Sequence, residues 1–199
     1  GLTVSGGHTQ LVLVNSPSEM EVIGQTLDDA VGEAFDKAGK MIGLPYPAGP
    51  YIDKYAQNGE PNIPFSMPKV PGLDFSFSGF KTSVLYYLRK QKQLDKDYIQ
   101  NHRNDLCSSV QHVLVNILME KLDKAVIQTG IKEIVIGGGV SANSGLRQAL
   151  SKQKDWNVFI PPLSFTTDNA AMIAVAGYFK YQNNNFGVLD RQAQSRMSL

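Results

Sequence analysis

Two glycine-rich turns are the first places where this chain could bind an anion or a nucleotide. The turn SGGH at residues 5–8 separates two β-prone runs, and GGGVSAN at residues 137–143 follows a short apolar run. Glycine lacks the Cβ atom that would keep a ligand away from the backbone, and N–H groups of tight turns and helix N-termini attract anions. Neither turn fits the Walker or GxGxxG pattern, so a plain hairpin loop and a purely structural turn stay open as alternatives.

An acidic row accompanies the helical pattern of residues 28–42. Glu33 and Asp36 lie on a face beside the apolar stripe of that helix. Such a row is more often a solvated face than a binding site. A carboxylate at the edge of the stripe could nevertheless accept hydrogen bonds from both hydroxyls of a ribose, and Asp36 is the candidate for that role.

A proline-rich loop follows this helix. Residues 45–50 contain three prolines and Gly49, and Asp53 comes one turn into the next helical segment. Proline fixes φ, so the loop has few conformations, and a glycine within it could lie flat against a ligand. A simple linker is the alternative, but three prolines in six residues favour a fixed shape.

Other common chemistries find no support in the sequence. There is no HExxH motif and no Ser–His–Asp set, and the three histidines lack metal-ligand spacing. They are His8, His102 and His112, of which His8 could donate to a phosphate but more commonly would be structural. Cys107 is the single cysteine, which rules out an internal disulfide and fits a reducing compartment.

The bulk composition is that of an ordinary globular protein. Of 199 residues, 42% are hydrophobic and 19% charged, with a net charge of +1. This composition predicts neither a strong electrostatic attraction to nucleic acid nor a membrane-binding surface. No apolar run is long enough to span a membrane and no secretory leader is visible, so we expect a cytoplasmic protein without a membrane partner. The chain starts directly in a strand-like run without Met, and we expect it to be part of a longer protein.

The turn signals and apolar periodicities predict an alternating order of elements. The predicted strands are a hairpin over 2–14, a short strand before 25, and strands at 74–78, 132–136 and 157–160. The predicted helices run from Asp28 or Asp29 to Ile42, from Gly79 to about 92 with Ser78 as its cap, from Asp105 to Thr129, from 145 to 150, and onward from Thr167 or Asp168. This order predicts an α/β fold with helices on the faces of a sheet, with a ligand site at the strand ends.

Five stretches together resemble one known family. VSGGHTQL (4–11), DDAVGEAFDKAGKMIGLPYPAGP (28–50), FSFSGFKTS (75–83), GGGVSAN (137–143) and TDNAAMIA (167–174) are similar, in this order, to the TsaD family of tRNA N6-adenosine threonylcarbamoyltransferases, formerly called O-sialoglycoprotein endopeptidases. The resemblance runs from end to end of the chain. The old peptidase description gains no support, because the sequence has neither a zincin motif nor a nucleophile–base pair.

The resemblance implies the ASKHA fold of actin, Hsp70 and sugar kinases, in which two RNase H-like lobes close on a nucleotide. It implies that residues 1–199 are the second, C-terminal lobe, with a mixed sheet flanked by helices. The first lobe, which carries an HxxxH metal-binding pair in the family, would be absent from this chain.

The resemblance also implies a reaction and a set of site residues. The family transfers threonylcarbamoyl from threonylcarbamoyl-AMP to the exocyclic amine of the adenosine 3′ to the anticodon and releases AMP. The implied residues are Thr3, Val4, Ser5, Gly6 and Gly7 for the phosphate side, Asp36, Gly49 and Asp53 for the ribose and adenine side, Asn143 for the nucleotide on the opposite side, and Asp168 as a metal ligand. No side chain is implied as general base.

Iron is the implied metal, with zinc as the alternative, because a carboxylate beside two imidazoles suits either ion. The implied partners are tRNA, the adenine nucleotide, TsaB and TsaE. Two other readings stay open: an ASKHA-type ATPase or kinase lobe, and a non-catalytic nucleotide-binding module.

Overall fold

A computed structural model describes residues 1–188, 190 and 192. Its sheet has five strands in the order β3-β2-β1-β4-β5. The strands are β1 (Leu2–Val4), β2 (Thr9–Ser16), β3 (Glu19–Gln25), β4 (Glu133–Gly137) and β5 (Asn157–Phe159). The first three strands pair antiparallel, whereas β1–β4 and β4–β5 are parallel pairs. The predicted hairpin and the predicted mixed α/β sheet are therefore confirmed.

Seven α-helices are found in the described part of the chain. They are α1 (Val31–Ile42), α2 (Gly49–Ala56), α3 (Ser78–Leu94), α4 (Tyr98–Asn101), α5 (Arg103–Thr129), α6 (Ser144–Ser151) and α7 (Ala170–Gln182). Two predicted ends are confirmed: α1 stops at Gly43 and α5 at Gly130, both in the left-handed conformation with φ of 85° and 72°. Glycine is favoured there because it has no Cβ to clash.

The core lies between the sheet, α1 and the long helix α5. The apolar stripe of α1 is buried at Ala34, Phe35, Ala38 and Ile42. Leu2, Val4 and Leu11 of the sheet belong to the same cluster as α5, whose leucines and valines are almost all buried. Burial of each such side chain contributes about 1.5–3 kcal/mol, so this cluster fixes how α1 stands against the strand ends.

The prediction of a strand at 74–78 is wrong. The period-two alternation of this segment is present: Phe75 and Phe77 are both fully buried, and the centroids of their stacked rings are 6.3 Å apart. Only a single bridge forms, however, between Thr26 and Phe75. Helix α3 starts at Ser78, so the segment turns away before it can continue a ladder.

Several helices begin elsewhere than predicted because side chains distant in sequence satisfy their N-termini. Helix α1 starts at Val31, whose N–H donates to Oγ1 of Thr9 at 2.8 Å. Asp28 lies outside α1 and accepts from the N–H of Phe77 at 2.7 Å. It also accepts from the N–H of Ser78, the first residue of α3, at 3.4 Å, so Asp28 caps the start of α3, where Ser78 was predicted as the cap.

The other predicted helix starts are shifted by one to three residues. Asp105 lies in the first turn of α5, which begins at Arg103, and accepts from the N–H of Glu60 at 2.9 Å. Helix α7 begins at Ala170 with Asn169 as its N-cap, so neither Thr167 nor Asp168 starts it.

Helix α7 differs from the others because none of its residues is buried. Its exposed side chains include Met172, Ile173, Val175 and Tyr178. The sheet also has an uncovered apolar surface: a groove of about 810 Å³ is lined by residues of β1, β2, β4 and the end of α5, and Val14 and Val135 are exposed there. None of the described helices has the length and apolar character needed to cross a bilayer.

Candidate functional site

Both glycine turns lie at one edge of the sheet. The turn of residues 5–8 follows β1 and residues 138–143 follow β4, and these two strands are parallel neighbours. Carboxyl ends of adjacent parallel strands meet at the same edge, where α/β sheets bind ligands. Together with α1 and α2 the turns enclose a cleft of about 490 Å³, which lies within the size range of small-molecule sites.

The cleft collects five of the ten predicted site residues. Gly6, Asp36, Gly49, Asp53 and Asn143 line it. The others lie elsewhere: Val4 is fully buried in the core, Thr3 lines the groove on the sheet, and Ser5, Gly7 and Asp168 are not among the lining residues. We call this cavity the adenylate cleft, after the ligand that the family resemblance implies for its residues. The sheet groove is larger and mainly apolar, and its polar side chains are Thr3, Thr129 and Glu133.

The three consecutive glycines of the second turn have different roles. Gly138 has φ of 95°, and a Cβ atom there would lie 2.3 Å from the carbonyl oxygen of Val4. Gly138 is therefore required by the fold, because β1 passes directly against it. A Cβ at Gly139 would meet nothing within 4 Å, and Gly139 lines the adenylate cleft.

The first turn is partly closed by its own serine. Oγ of Ser5 accepts from the N–H groups of Gly7 at 3.2 Å and His8 at 2.9 Å. Two N–H groups expected to face a phosphate are thus already paired within the turn. Gly6 is the residue of this turn that lines the cleft.

Asp36 holds the proline loop in place. One of its carboxylate oxygens accepts from the N–H of Ala48 at 2.6 Å and from that of Gly49 at 3.4 Å. Ala48 in turn packs on Gly39 of α1, where a Cβ would be only 2.2 Å from that of Ala48. These contacts hold the loop against α1. Among the described residues, no donor reaches the second carboxylate oxygen of Asp36.

Asp53 and Asn143 join α2, α5 and α6 at the opposite wall. Asp53 accepts from the hydroxyl of Ser144 at 2.6 Å and from its N–H at 3.1 Å. Asn143, only 8% exposed, caps α6 by accepting from the N–H of Leu146 at 3.0 Å and donates to Gln111 at 2.7 Å. Both predicted contact residues thus carry structural bonds as well as lining the cleft.

The electrostatic character of the cleft is acidic. Among the described residues that line it, the charged ones are Asp36 and Asp53, and no lysine or arginine is present. Carboxylates accept hydrogen bonds from hydroxyl and amino groups and repel phosphate. The arrangement therefore suits a ribose or an adenine better than a polyphosphate.

Three residues of the site were not predicted from the sequence. A Cβ at Gly32 would lie 2.6 Å from the carbonyl oxygen of Ser5, so this glycine lets α1 approach the first turn. Gln111 supports Asn143 from 32 positions away, and no local signal marks it. Tyr46 lines the cleft from the proline loop; an aromatic residue between two prolines was the available signal.

The predicted metal ligand lies apart from these residues. Asp168 is exposed and directly precedes Asn169, the N-cap of α7. Within the described part of the chain, no three His, Cys, Asp or Glu side chains come together in a way that could hold a metal ion. One carboxylate is a suitable oxygen donor, but it is a weak site alone.

Comparison with known proteins identifies the family. The model of the family described as TsaD, tRNA N6-adenosine threonylcarbamoyltransferase, matches residues 1–175. The chain belongs to the TsaD family. A TsaD relative from Christiangramia forsetii is 55% identical over 98% of this chain, and one from Cytophaga hutchinsonii is 52% identical over the whole chain. Both relatives bear the description tRNA N6-adenosine threonylcarbamoyltransferase, which names tRNA as their substrate.

This chain spans about 58% of the length of those TsaD relatives. Among solved structures, the activator of the 2-hydroxyisocaproyl-CoA dehydratase from Clostridium difficile, with bound ADPNP, matches with a TM-score of 0.51 at 13% identity. The match covers 94% of this chain and 63% of that one. It supports the fold alone, and the predicted mixed sheet with flanking helices is confirmed.

Proposed function

We propose that this chain is part of a tRNA N6-adenosine threonylcarbamoyltransferase and forms the adenylate-binding wall of its active site. The proposal rests on membership of the TsaD family over residues 1–175. The reaction moves threonylcarbamoyl from threonylcarbamoyl-AMP to N6 of adenosine 37, the adenosine 3′ to the anticodon, in tRNAs that read codons beginning with A. The new N–C bond forms as the C–O bond to the phosphate breaks, AMP leaves with the electron pair, and the amine proton passes to water.

The adenylate cleft supports binding of the AMP part of the donor. Its glycines let a flat ligand approach bare backbone, and Asp36 and Asp53 offer carboxylate oxygens to ribose hydroxyls and the adenine amino group. The structural neighbour with bound ADPNP has the same fold class. Holding the acyl carbonyl near the amine would supply much of the rate enhancement, because proximity lowers the entropic cost of reaction.

We propose further that the chain works as one lobe, the second, of a two-lobed protein. Relatives are longer than this chain. The apolar helix α7 has no buried residue, and the apolar groove on the sheet is open. Exposed apolar surface on neighbouring elements can mark an interaction site, and a second lobe would cover both.

Asp168 is proposed as the ligand that this chain contributes to an iron ion, or to zinc, whose other ligands lie outside the chain. Its exposure, and its place just before α7, leave its carboxylate accessible to a partner lobe. Such a metal acts as a Lewis acid that polarises a carbonyl. In the full-length protein, Asp168→Ala should abolish metal retention through dialysis while the circular dichroism spectrum is unchanged. Unaltered metal content would refute the assignment.

A cytoplasmic location and cooperation with TsaB and TsaE complete the proposal. The deciding experiment supplies the full-length protein and these partners with labelled threonine, bicarbonate, ATP, the enzyme that makes the adenylate, and tRNA. We expect label in tRNA at the adenosine 3′ to the anticodon. Phosphoryl transfer to a small molecule without tRNA modification would instead support an ATPase or kinase lobe.

A further inference from the structure

Tyr46 is the most exposed of the large hydrophobic side chains in the described part of the chain, with 85% of its surface open to solvent. It lies between Pro45 and Pro47 in the loop that joins α1 to α2. Exposed single apolar side chains are common. An aromatic ring on a fixed loop at the rim of a ligand cleft calls for a functional explanation.

The loop beneath the ring is anchored at both ends. Before it, the N–H of Leu44 donates to the carbonyl of Gly39 at 2.9 Å. After it, Ala48 is buried and its N–H donates to Asp36 at 2.6 Å. Prolines on both sides restrict φ. The loop therefore holds the ring in place before a ligand binds. A ligand that stacks on the ring need not order the loop, which lowers the entropic cost of binding.

Two cavities meet at Tyr46. One is the adenylate cleft; the other is a shallow groove on the outer side of α1, lined by Glu33, Lys37, Lys40 and Leu44, and Tyr46 lines both. Lys37 is paired with Asp29 at 2.6 Å and with Glu33 at 2.8 Å. The outer groove thus has little net positive charge, so attraction of phosphate does not explain the position of the ring.

We propose that Tyr46 is a stacking platform for a nucleobase at the mouth of the adenylate cleft. The inference rests on the proposed function and names the part of the ligand that the loop binds. Every base offers a planar π-face, and stacking on an aromatic side chain needs no charge and no hydrogen bond. Two sources could supply the base: the adenine of the mononucleotide, or an unpaired base of the tRNA anticodon loop.

The test compares three variants in the full-length protein with its partners. Tyr46→Phe keeps the ring, Tyr46→Leu keeps apolar bulk without a planar face, and Tyr86→Leu is a matched control on another exposed tyrosine, on α3. AMP binding is measured by calorimetry. Binding of a 17-nucleotide anticodon stem–loop is measured by fluorescence anisotropy.

Stacking predicts that Tyr46→Leu weakens binding by about 5- to 150-fold in one of the two assays, whereas Tyr46→Phe and Tyr86→Leu remain within about twofold of the parent. A loss in the AMP assay assigns the ring to adenine, and a loss confined to the stem–loop assigns it to the RNA. Unchanged affinity of Tyr46→Leu in both assays would overturn the inference and leave the proposed function standing. Failure of the unaltered protein to bind either ligand would overturn both.

Discussion

Alanine substitutions along Gly137, Gly138 and Gly139 separate the structural and the ligand-facing roles of the second turn. At Gly138 the backbone has φ of 95° and ψ of 162°, a region that is essentially restricted to glycine, and holding alanine there costs about 1–3 kcal/mol. The added methyl must also enter a space 2.3 Å from the carbonyl oxygen of Val4, and overpacking of this kind costs about 1–3 kcal/mol. We expect Gly138→Ala to lower the free energy of unfolding by about 2–6 kcal/mol.

The neighbouring glycines provide matched controls. A Cβ at Gly137 or Gly139 meets nothing within 4 Å, and neither residue has positive φ. Both alanine variants should therefore unfold within about 1 kcal/mol of the parent, on the stable side if the loss of chain entropy in the unfolded state dominates. They differ in place, because Gly139 lines the adenylate cleft and Gly137 lines the groove on the sheet.

The assay has two parts. Urea titration followed by circular dichroism gives the free energy of unfolding, and calorimetry gives the affinity of the full-length protein for AMP. Gly139→Ala should keep the fold and weaken AMP binding by about 5- to 150-fold, the equivalent of about 1–3 kcal/mol. Gly137→Ala should leave AMP affinity unchanged and unfold within about 1 kcal/mol of the parent. The reasoning is refuted if Gly138→Ala is as stable as Gly137→Ala, or if Gly139→Ala binds AMP as tightly as the parent.

Three further predictions concern individual side chains. Asn143→Ala removes a helix cap and leaves Gln111 without its partner, so urea unfolding should show a loss of about 2–3 kcal/mol. Asn169→Ala removes the cap of α7, which has no buried residue and can open locally, so the global transition should stay within about 0.5 kcal/mol of the parent. Equal effects would contradict the structural role of Asn143. Burial raises the pKa of Asp28, but the hydrogen bonds from Phe77, Ser76 and Ser78 outweigh it and hold that pKa below its ordinary 3.8. The contribution of Asp28 to stability should therefore be complete above pH 3.8 and be lost as the pH falls further. Urea midpoints measured from pH 5 downward should fall less steeply in Asp28→Asn than in the parent. Identical pH profiles of the two proteins would contradict this role of Asp28. Burial raises the pKa of the Cys107 thiol to about 12. Ellman's reagent at pH 8 should therefore label this thiol only after unfolding. Rapid labelling of the native chain would show that helix α5 is not packed as described.

Sequence reasoning succeeded where the signal is local. The left-handed glycines that end α1 and α5, the hairpin and the apolar stripe of α1 all follow from short patterns. It also placed both glycine turns at strand ends, and the parallel pairing of β1 with β4 brings them together.

It failed where a partner lies far away in the chain. Asp28 was read as the start of a helix because acids are common in first turns, yet it caps α3 from 49 residues away. Gln111, which supports Asn143 from 32 positions away, was missed because no local signal marks it. Residues 74–78 alternate as a strand does, and only the tertiary fold shows that no neighbouring strand continues beside them.

The central claim, that this chain forms the adenylate-binding wall, is tested most directly by amide chemical shifts. The 21.8 kDa chain, labelled with ¹⁵N, is titrated with AMP. The structure predicts that the largest shifts occur at Gly6, Gly49 and Gly139, which line the adenylate cleft. Shifts concentrated at Val12 and Val135 in the groove on the sheet, or no shifts at millimolar AMP, would contradict the claim.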